Sequence, residues 1–174
     1  ERVTGRIVEG RVFGGNAAGE VTYAWSGEQP WSANLDISDI DLGSILPELP
    51  GRVSGRIEGN GTVQPFALHA TLENVDGSIR GVELQANGAV DIADGVFEAR
   101  GLRIEHGESW LILDGSPILE TGLAFEARIA DATIYVDDVA GELYAKGRAR
   151  VTATKAAIEL VLQSPEFVVR DSKF

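Results

Sequence analysis

From Val82 to Ile92 the chain reads Val-Glu-Leu-Gln-Ala-Asn-Gly-Ala-Val-Asp-Ile, with apolar or small residues at the even positions and polar residues at most odd ones. A β-strand points successive side chains to opposite faces, so this period of two describes a strand with one apolar face and one wet face. The alternation returns at Phe66-Leu68-Ala70-Leu72, at Leu123-Phe125-Ala127-Ile129 and at Ile158-Leu160-Leu162. Such patterns predict strands over Val3–Phe13, Glu20–Trp25, Trp31–Ile37, Gly51–Val63, Pro65–Val75, Ser78–Ile92, Val96–Glu105, Ser109–Leu113, Leu123–Ile129, Thr133–Val136, Glu142–Thr154, Ala156–Leu162 and Glu166–Val169.

One stretch breaks the rhythm. Leu42, Ile45, Leu46 and Leu49 recur at helical spacing, with Asp39 or Asp41 placed to cap and Pro47 and Pro50 limiting the length. One short helix or crossing loop near 40–49 follows, packed on the sheet. Elsewhere Asp76-Gly77, Asp94-Gly95, His106-Gly107 and Asp114-Gly115 mark turns, since Asp-Gly pairs tolerate the positive φ of tight hairpins. Parallel strands need crossovers of a dozen or more residues, and most of these links are too short. The fold class is therefore all-β and mainly antiparallel, with a long one-sided sheet.

Weak repeats near 4–10, 51–63 and 141–152 place Gly or Ala beside Val, Ile or Leu on the apolar face, which is thereby thin. Repeated strand units imply extension along an axis, each unit touching mainly its neighbours. At 174 residues the chain reads as a single segment, 1–174, and without any methionine it reads as an internal piece of a longer protein. Its 21 glycines suit turns, bulges and close backbone approach.

A net charge of -12 with no Lys/Arg cluster excludes nucleic acid as a partner, because phosphate contacts need a basic footprint. The absence of cysteine removes disulfides and thiolate metal sites. His69 falls on the polar register of its strand and His106 in a turn, both solvated and without a metal-binding neighbourhood. Asp36, Asp39 and Asp41 lack the glycine and terminal glutamate of a calcium loop, and helix capping accounts for them better. Gly59-Asn60-Gly61 leads into a strand without the lysine of a phosphate loop, and no Gly-x-Ser-x-Gly elbow occurs. No catalytic residue, metal site or cofactor is expected, and the chain is not expected to be an enzyme.

The functional question is what covers the apolar face. Alternation assigns to it Val53, Ile57, Phe66, Leu68, Leu72, Val82, Leu84, Ala86, Val90, Ile92, Leu102, Ile104, Leu111, Leu113, Leu123, Phe125, Ile129, Leu143, Ile158, Leu160 and Leu162. A slip of one residue in pairing would reverse the face of any strand. Two halves of the sheet sealed as a sandwich core fit this pattern, and so does an open groove that holds acyl chains.

The segment Pro30 to Gly61 joins an alternating strand, the approach Asp39-Ile40-Asp41-Leu42, then Leu49-Pro50-Gly51 and the glycine-rich Ser54-Gly55-Arg56-Ile57-Glu58-Gly59-Asn60-Gly61. The passage Leu102-Arg103-Ile104, Gly107 to Leu113 and Asp114-Gly115 reads as a recurrent strand pair. In these motifs the chain resembles the TamB family, which is grouped with the AsmA-like proteins of diderm bacteria. The resemblance implies a curved, elongated sheet folded like a taco around an apolar groove, within a periplasmic protein anchored in the inner membrane. It implies carriage of phospholipid between the two membranes, with phospholipid acyl chains and a TamA-like outer-membrane barrel as partners. The alternative it implies is a scaffold for assembly of outer-membrane proteins or autotransporters, for which an exposed sheet edge can accept a client strand by β-augmentation. The segment reads as a middle or C-terminal section, and the family offers no catalytic residues to transfer.

Overall fold

The computed structural model describes residues 2–118, 120–134, 139–151, 156–165 and 167–169. Strands β1 (Arg2–Val12), β2 (Gly15–Ala24) and β3 (Pro30–Asp41) are followed by a 3-10 turn, η1 (Leu42–Ser44). Then come β4 (Gly51–Thr62), β5 (Ala67–Ile79), β6 (Val82–Ala93), β7 (Val96–His106), β8 (Ser109–Gly115) and β9 (Leu123–Ile129). A second 3-10 turn, η2 (Ala132–Ile134), precedes β10 (Val139–Gly141), β11 (Leu143–Val151), β12 (Ala156–Gln163) and β13 (Phe167–Val169). Eleven strands form one sheet in the order β1-β2-β3-β4-β5-β6-β7-β8-β9-β11-β12, every pair antiparallel, while β10 and β13 pair separately.

This is a meander, and it does not double back into a sandwich. Each strand of the large sheet packs chiefly on its ladder neighbours. A compact 18.5 kDa monomer exposes about 8,200 Å², whereas this chain exposes 11265 Å². Yet Ile40, Val53, Val75, Leu84 and Ala86 form a buried cluster on one face of the sheet. A single layer hides side chains in this way only by curling around them. The sheet is open and curved, consistent with a taco-like groove.

Bulges accompany the curl. In β1, β3, β5 and β7 one extra residue interrupts the register, between Ile7 and Gly10, Ile37 and Ile40, Leu72 and Val75, and Ala99 and Leu102. An extra residue bends the strand and tightens its twist. It also keeps the apolar residues on both sides of each interruption facing the same way.

Several expectations change. Asp76-Gly77 lies inside β5, where Gly77 pairs with both Val53 and Leu84. The turn comes at Arg80-Gly81, whose φ angles of 52° and 78° supply the two positive values a tight hairpin needs. Asp114-Gly115 likewise completes β8. The segment after Leu42 makes only one 3-10 turn, then further turns to Pro50, since Pro47 and Pro50 leave no room for a longer ladder. Asp41 is its cap, accepting from Gly43 N–H at 3.0 Å, and Asp39 belongs to the β3 bulge. The strand expected at Thr133–Val136 is a 3-10 turn over Ala132–Ile134, and its last residues lie outside those described.

Candidate functional site

Antiparallel partners point to the same face, so the ladders can be followed from edge to edge. One row runs Gly5, Val21, Ala33, Gly59, Ala70, Val90, Ala99, Gly115, Leu123, Ala149 and Ile158, one residue per strand. A parallel row runs Leu35, Ile57, Leu72 and Gly88 and, past the β7 bulge, Leu102, Leu113, Phe125, Gly147 and Leu160. A third joins Val75, Ala86, Ile104, Leu111, Ala127, Ala145 and Leu162.

Val53, Val82 and Leu84 continue this face toward one rim, with Ile129 and Leu143 beside them in β9 and β11; Leu68 and Ile92 continue it toward the other rim. Every residue assigned to the apolar face by alternation therefore shares one side of the sheet, except Phe66. It stands in the turn before β5, 58% exposed.

Extending the rows to all described strands of the large sheet brings no Asp, Glu, Lys or Arg onto this face. Its polar side chains are Tyr23, His106 and Ser109, near strand ends. The charges stand on the opposite face. There Asp91 meets His69 at 2.7 Å and pairs with Arg100, and Arg128 meets Glu142 at 2.6 Å. Glu126 accepts from the Tyr144 hydroxyl and from Lys146 at 3.2 Å. The Tyr144 hydrogen bond, then Lys146, hold the Glu126 carboxyl below its ordinary range; the same bond pushes the Tyr144 phenol up.

Near one rim the apolar face deepens into a cavity of about 420 Å³, lined by Leu49, Ile79, Leu84, Ile104, Leu111, Ala127 and Ile129, with Arg80, His106, Ser109, Trp110 and Arg128 also on its wall. Leu49 reaches it from the segment after η1, so that segment crosses over the rim as a strap. Leu42 packs against the buried cluster, and Arg80 fastens the far end, donating through its backbone to Pro50 O at 2.7 Å and through Nη2 to Glu48 O at 3.1 Å. His106, expected in a solvated turn, ends β7 on the groove side, its Nε2–H donating to Ile79 O at 3.0 Å.

Alternation missed Ile40, Val75, Ile79 and Ala99 as members of this face. The signal was present as a phase slip, two consecutive residues between apolar ones at Ser38-Asp39, Glu73-Asn74 and Arg100-Gly101. Among the described residues, no three His, Asp or Glu gather as a set able to hold a metal ion.

Over residues 8–172 the chain matches the family model described as TamB, N-terminal domain. It belongs to the TamB family. The matched region is the N-terminal domain, which corrects the expectation of a middle or C-terminal section. No curated protein matches the chain, and no solved structure matches it. In this TamB-family domain no helix among the described residues is long and apolar enough to cross a membrane.

Proposed function

We propose that this TamB-family domain is a non-catalytic conduit whose apolar face carries phospholipid acyl chains through the periplasm between inner and outer membranes, as part of an inner-membrane-anchored protein. The observation that carries this reading is one face, continuous across eleven strands, onto which no strand residue brings an Asp, Glu, Lys or Arg. At a strand spacing of about 4.8 Å the face runs on the order of 50 Å, longer than one acyl chain. Each methylene that leaves water gains about 0.8 kcal/mol. A lining of aliphatic side chains interleaved with Gly and Ala offers that gain with few polar groups to pin the cargo, so a chain slides along it.

The test is photocrosslinking in cells, in the full-length parent, with a photoreactive phenylalanine at Phe125 and, as the outward control, at Lys146. Phospholipid captured at Phe125 and absent at Lys146 supports the conduit. Crosslinks confined to the protein itself at Phe125 overturn it.

A second reading rests on β12. Both its faces are exposed along its whole length, and it is an open edge of the large sheet. An open edge accepts a client strand by β-augmentation, which suits a scaffold for outer-membrane proteins working with a TamA-type barrel. Proline substitutions along β12 would disable that scaffold and spare a conduit.

A further inference from the structure

The bulges of β3, β5 and β7 stand side by side across the middle of the sheet, and each is built alike. Each has one residue in the left-handed region: Asp39 at φ 55°, Asn74 at 49° and Gly101 at 54°. In each, that residue's backbone N–H is accepted by a side chain on the following strand: Asp39 by Ser54 Oγ at 3.1 Å, Asn74 by Asn87 Oδ1 at 2.8 Å, and Gly101 by Asp114 Oδ1 at 3.0 Å. The acceptor is always the residue facing the bulge, and its side chain lies on the charged face of the sheet. The even strands are drawn in along the same line. At Gly55 (φ 146°) and Gly88 (φ 125°) a Cβ would stand 2.7 Å from Val75 Cα and 2.5 Å from Leu102 Cα. Directly inside the line lie Val75 and Ala86 of the buried cluster.

We propose that this seam is the crease of the groove and that Ser54, Asn87 and Asp114 are positioning residues that set its opening. A bulge N–H points out of the ladder and would otherwise have only solvent to bond. A side chain fixed on the neighbouring strand holds that N–H at one place and so fixes the local bend. Three such clamps in succession turn separate kinks into one fold line perpendicular to the strands. The same clamps hold the apolar phase: if β5 lost its bulge by slipping one residue, either Leu72 or Val75 would turn out to the charged face. None of the three acceptors touches the groove interior, so their influence on it is through geometry alone.

The chain has no cysteine, so two can be introduced for spin labels at Ala93→Cys, the last residue of β6 opposite Val96, and at Glu108→Cys, in the turn after β7, on either side of the crease. Pulsed electron–electron resonance reads the distance across the crease in the full domain, with no ligand present. That separates its failure from failure of the lipid reading. In the combined Ser54→Ala, Asn87→Ala and Asp114→Ala variant the distance lengthens by several ångströms and its distribution broadens, while the β-sheet circular dichroism persists. Ser54→Thr, Asn87→Asp and Asp114→Asn, which retain an oxygen acceptor, keep the wild-type distance. An unchanged distance in the alanine set overturns the proposal, as does an equal shift in the acceptor-retaining set. If the alanine set does not fold, Asn87→Ala alone is read against Asn87→Asp by the same criteria.

Discussion

The ring of Phe125 occupies the space beside Gly147 on the neighbouring strand: a Cβ added at Gly147 would stand 3.0 Å from Phe125 Cε1 and closer still to Cζ. The two residues face each other in the β9–β11 ladder, and Leu160 of β12 faces Gly147 from its other side. The glycine thus leaves out a side chain where the aromatic ring extends over the neighbouring strand, and the floor there remains apolar.

Gly147→Val follows directly. The added methyl groups collide with the Phe125 ring and with the Glu159 backbone, so the variant loses stability, by about 1–3 kcal/mol for overpacking of this kind. Urea unfolding of the isolated domain checks this. Combining it with Phe125→Ala returns part of the loss, because the two residues compete for the same volume.

The groove is unevenly packed, which gives a second expectation. Leu84 is 8% exposed within the buried cluster, whereas Leu160 at the open edge is 48% exposed. Leu84→Ala leaves a cavity among neighbours that relax only in part and costs about 2–5 kcal/mol. Leu160→Ala changes stability by about 0.5 kcal/mol or less. Equal losses at the two sites would mean that β12 is covered in the folded protein.

The strap over the rim is held at its far end by Arg80. Arg80→Ala removes the side-chain bond to Glu48 O and leaves the backbone bond to Pro50 O in place. A single exposed hydrogen bond is worth about 1 kcal/mol or less, so global stability barely moves. Local opening does: amide exchange across 42–50 accelerates while the β5 and β6 amides keep their protection, an outcome read by mass spectrometry of the domain.

On the charged face, Glu126 ties two strands to one pH range. Its carboxyl is held low by Tyr144 and then by Lys146. A folded-state value below the unfolded one contributes stability that is present above the unfolded pKa and lost as pH falls through the folded value. Tyr144 is pushed the other way by the same hydrogen bond, so its contribution is present below the ordinary phenol value and lost as pH rises past it. Glu126→Gln should therefore lower the neutral plateau of a stability–pH curve slightly and leave the acid end unmoved, so that the acid limb between them is flatter. An acid limb identical to wild type would show that other carboxylates carry it.

Much of this architecture was legible because its two ingredients, alternation and short turns, are local. The face of Leu102, Leu111 or Phe125 follows from the period of two whatever its partners are, and that is why one side of the sheet could be read off before any pairing was known. What escaped were features set by contact across strands. Asp76-Gly77 has a turn's composition, yet ladder bonds to β4 and β6 hold it extended, and the turn moved to Arg80-Gly81. Phe66 shares the parity of Leu68 and Leu72, yet it precedes the strand. The bulges at Asp39, Asn74 and Gly101 were written in the phase slips, but only alignment of three strands reveals that they form one line. Whether the face is sealed or open depends on curl, to which periodicity is blind.

The last expectation concerns cargo and uses the exposure of β12 to keep folding out of the result. Leu160 and Leu162 point to the groove side at its edge, 48% and 56% exposed. Replacing both with Asp desolvates little in the domain itself, so expression and thermal unfolding stay near wild type. It does place two carboxylates on a face where the strands otherwise present no charged residue, across the path of a sliding acyl chain, where each unpaired charge would have to be passed in an apolar setting at a cost of several kcal/mol. In the full-length parent this double variant is expected to weaken the outer-membrane barrier, read as increased sensitivity to detergent and large antibiotics. Val161→Asp with Gln163→Asp on the opposite face of the same strand is the control, adding the same two charges without entering the groove. An intact barrier in the groove-side variant, with the protein present at normal level, would remove the conduit reading and leave the strand-accepting edge as the function to pursue.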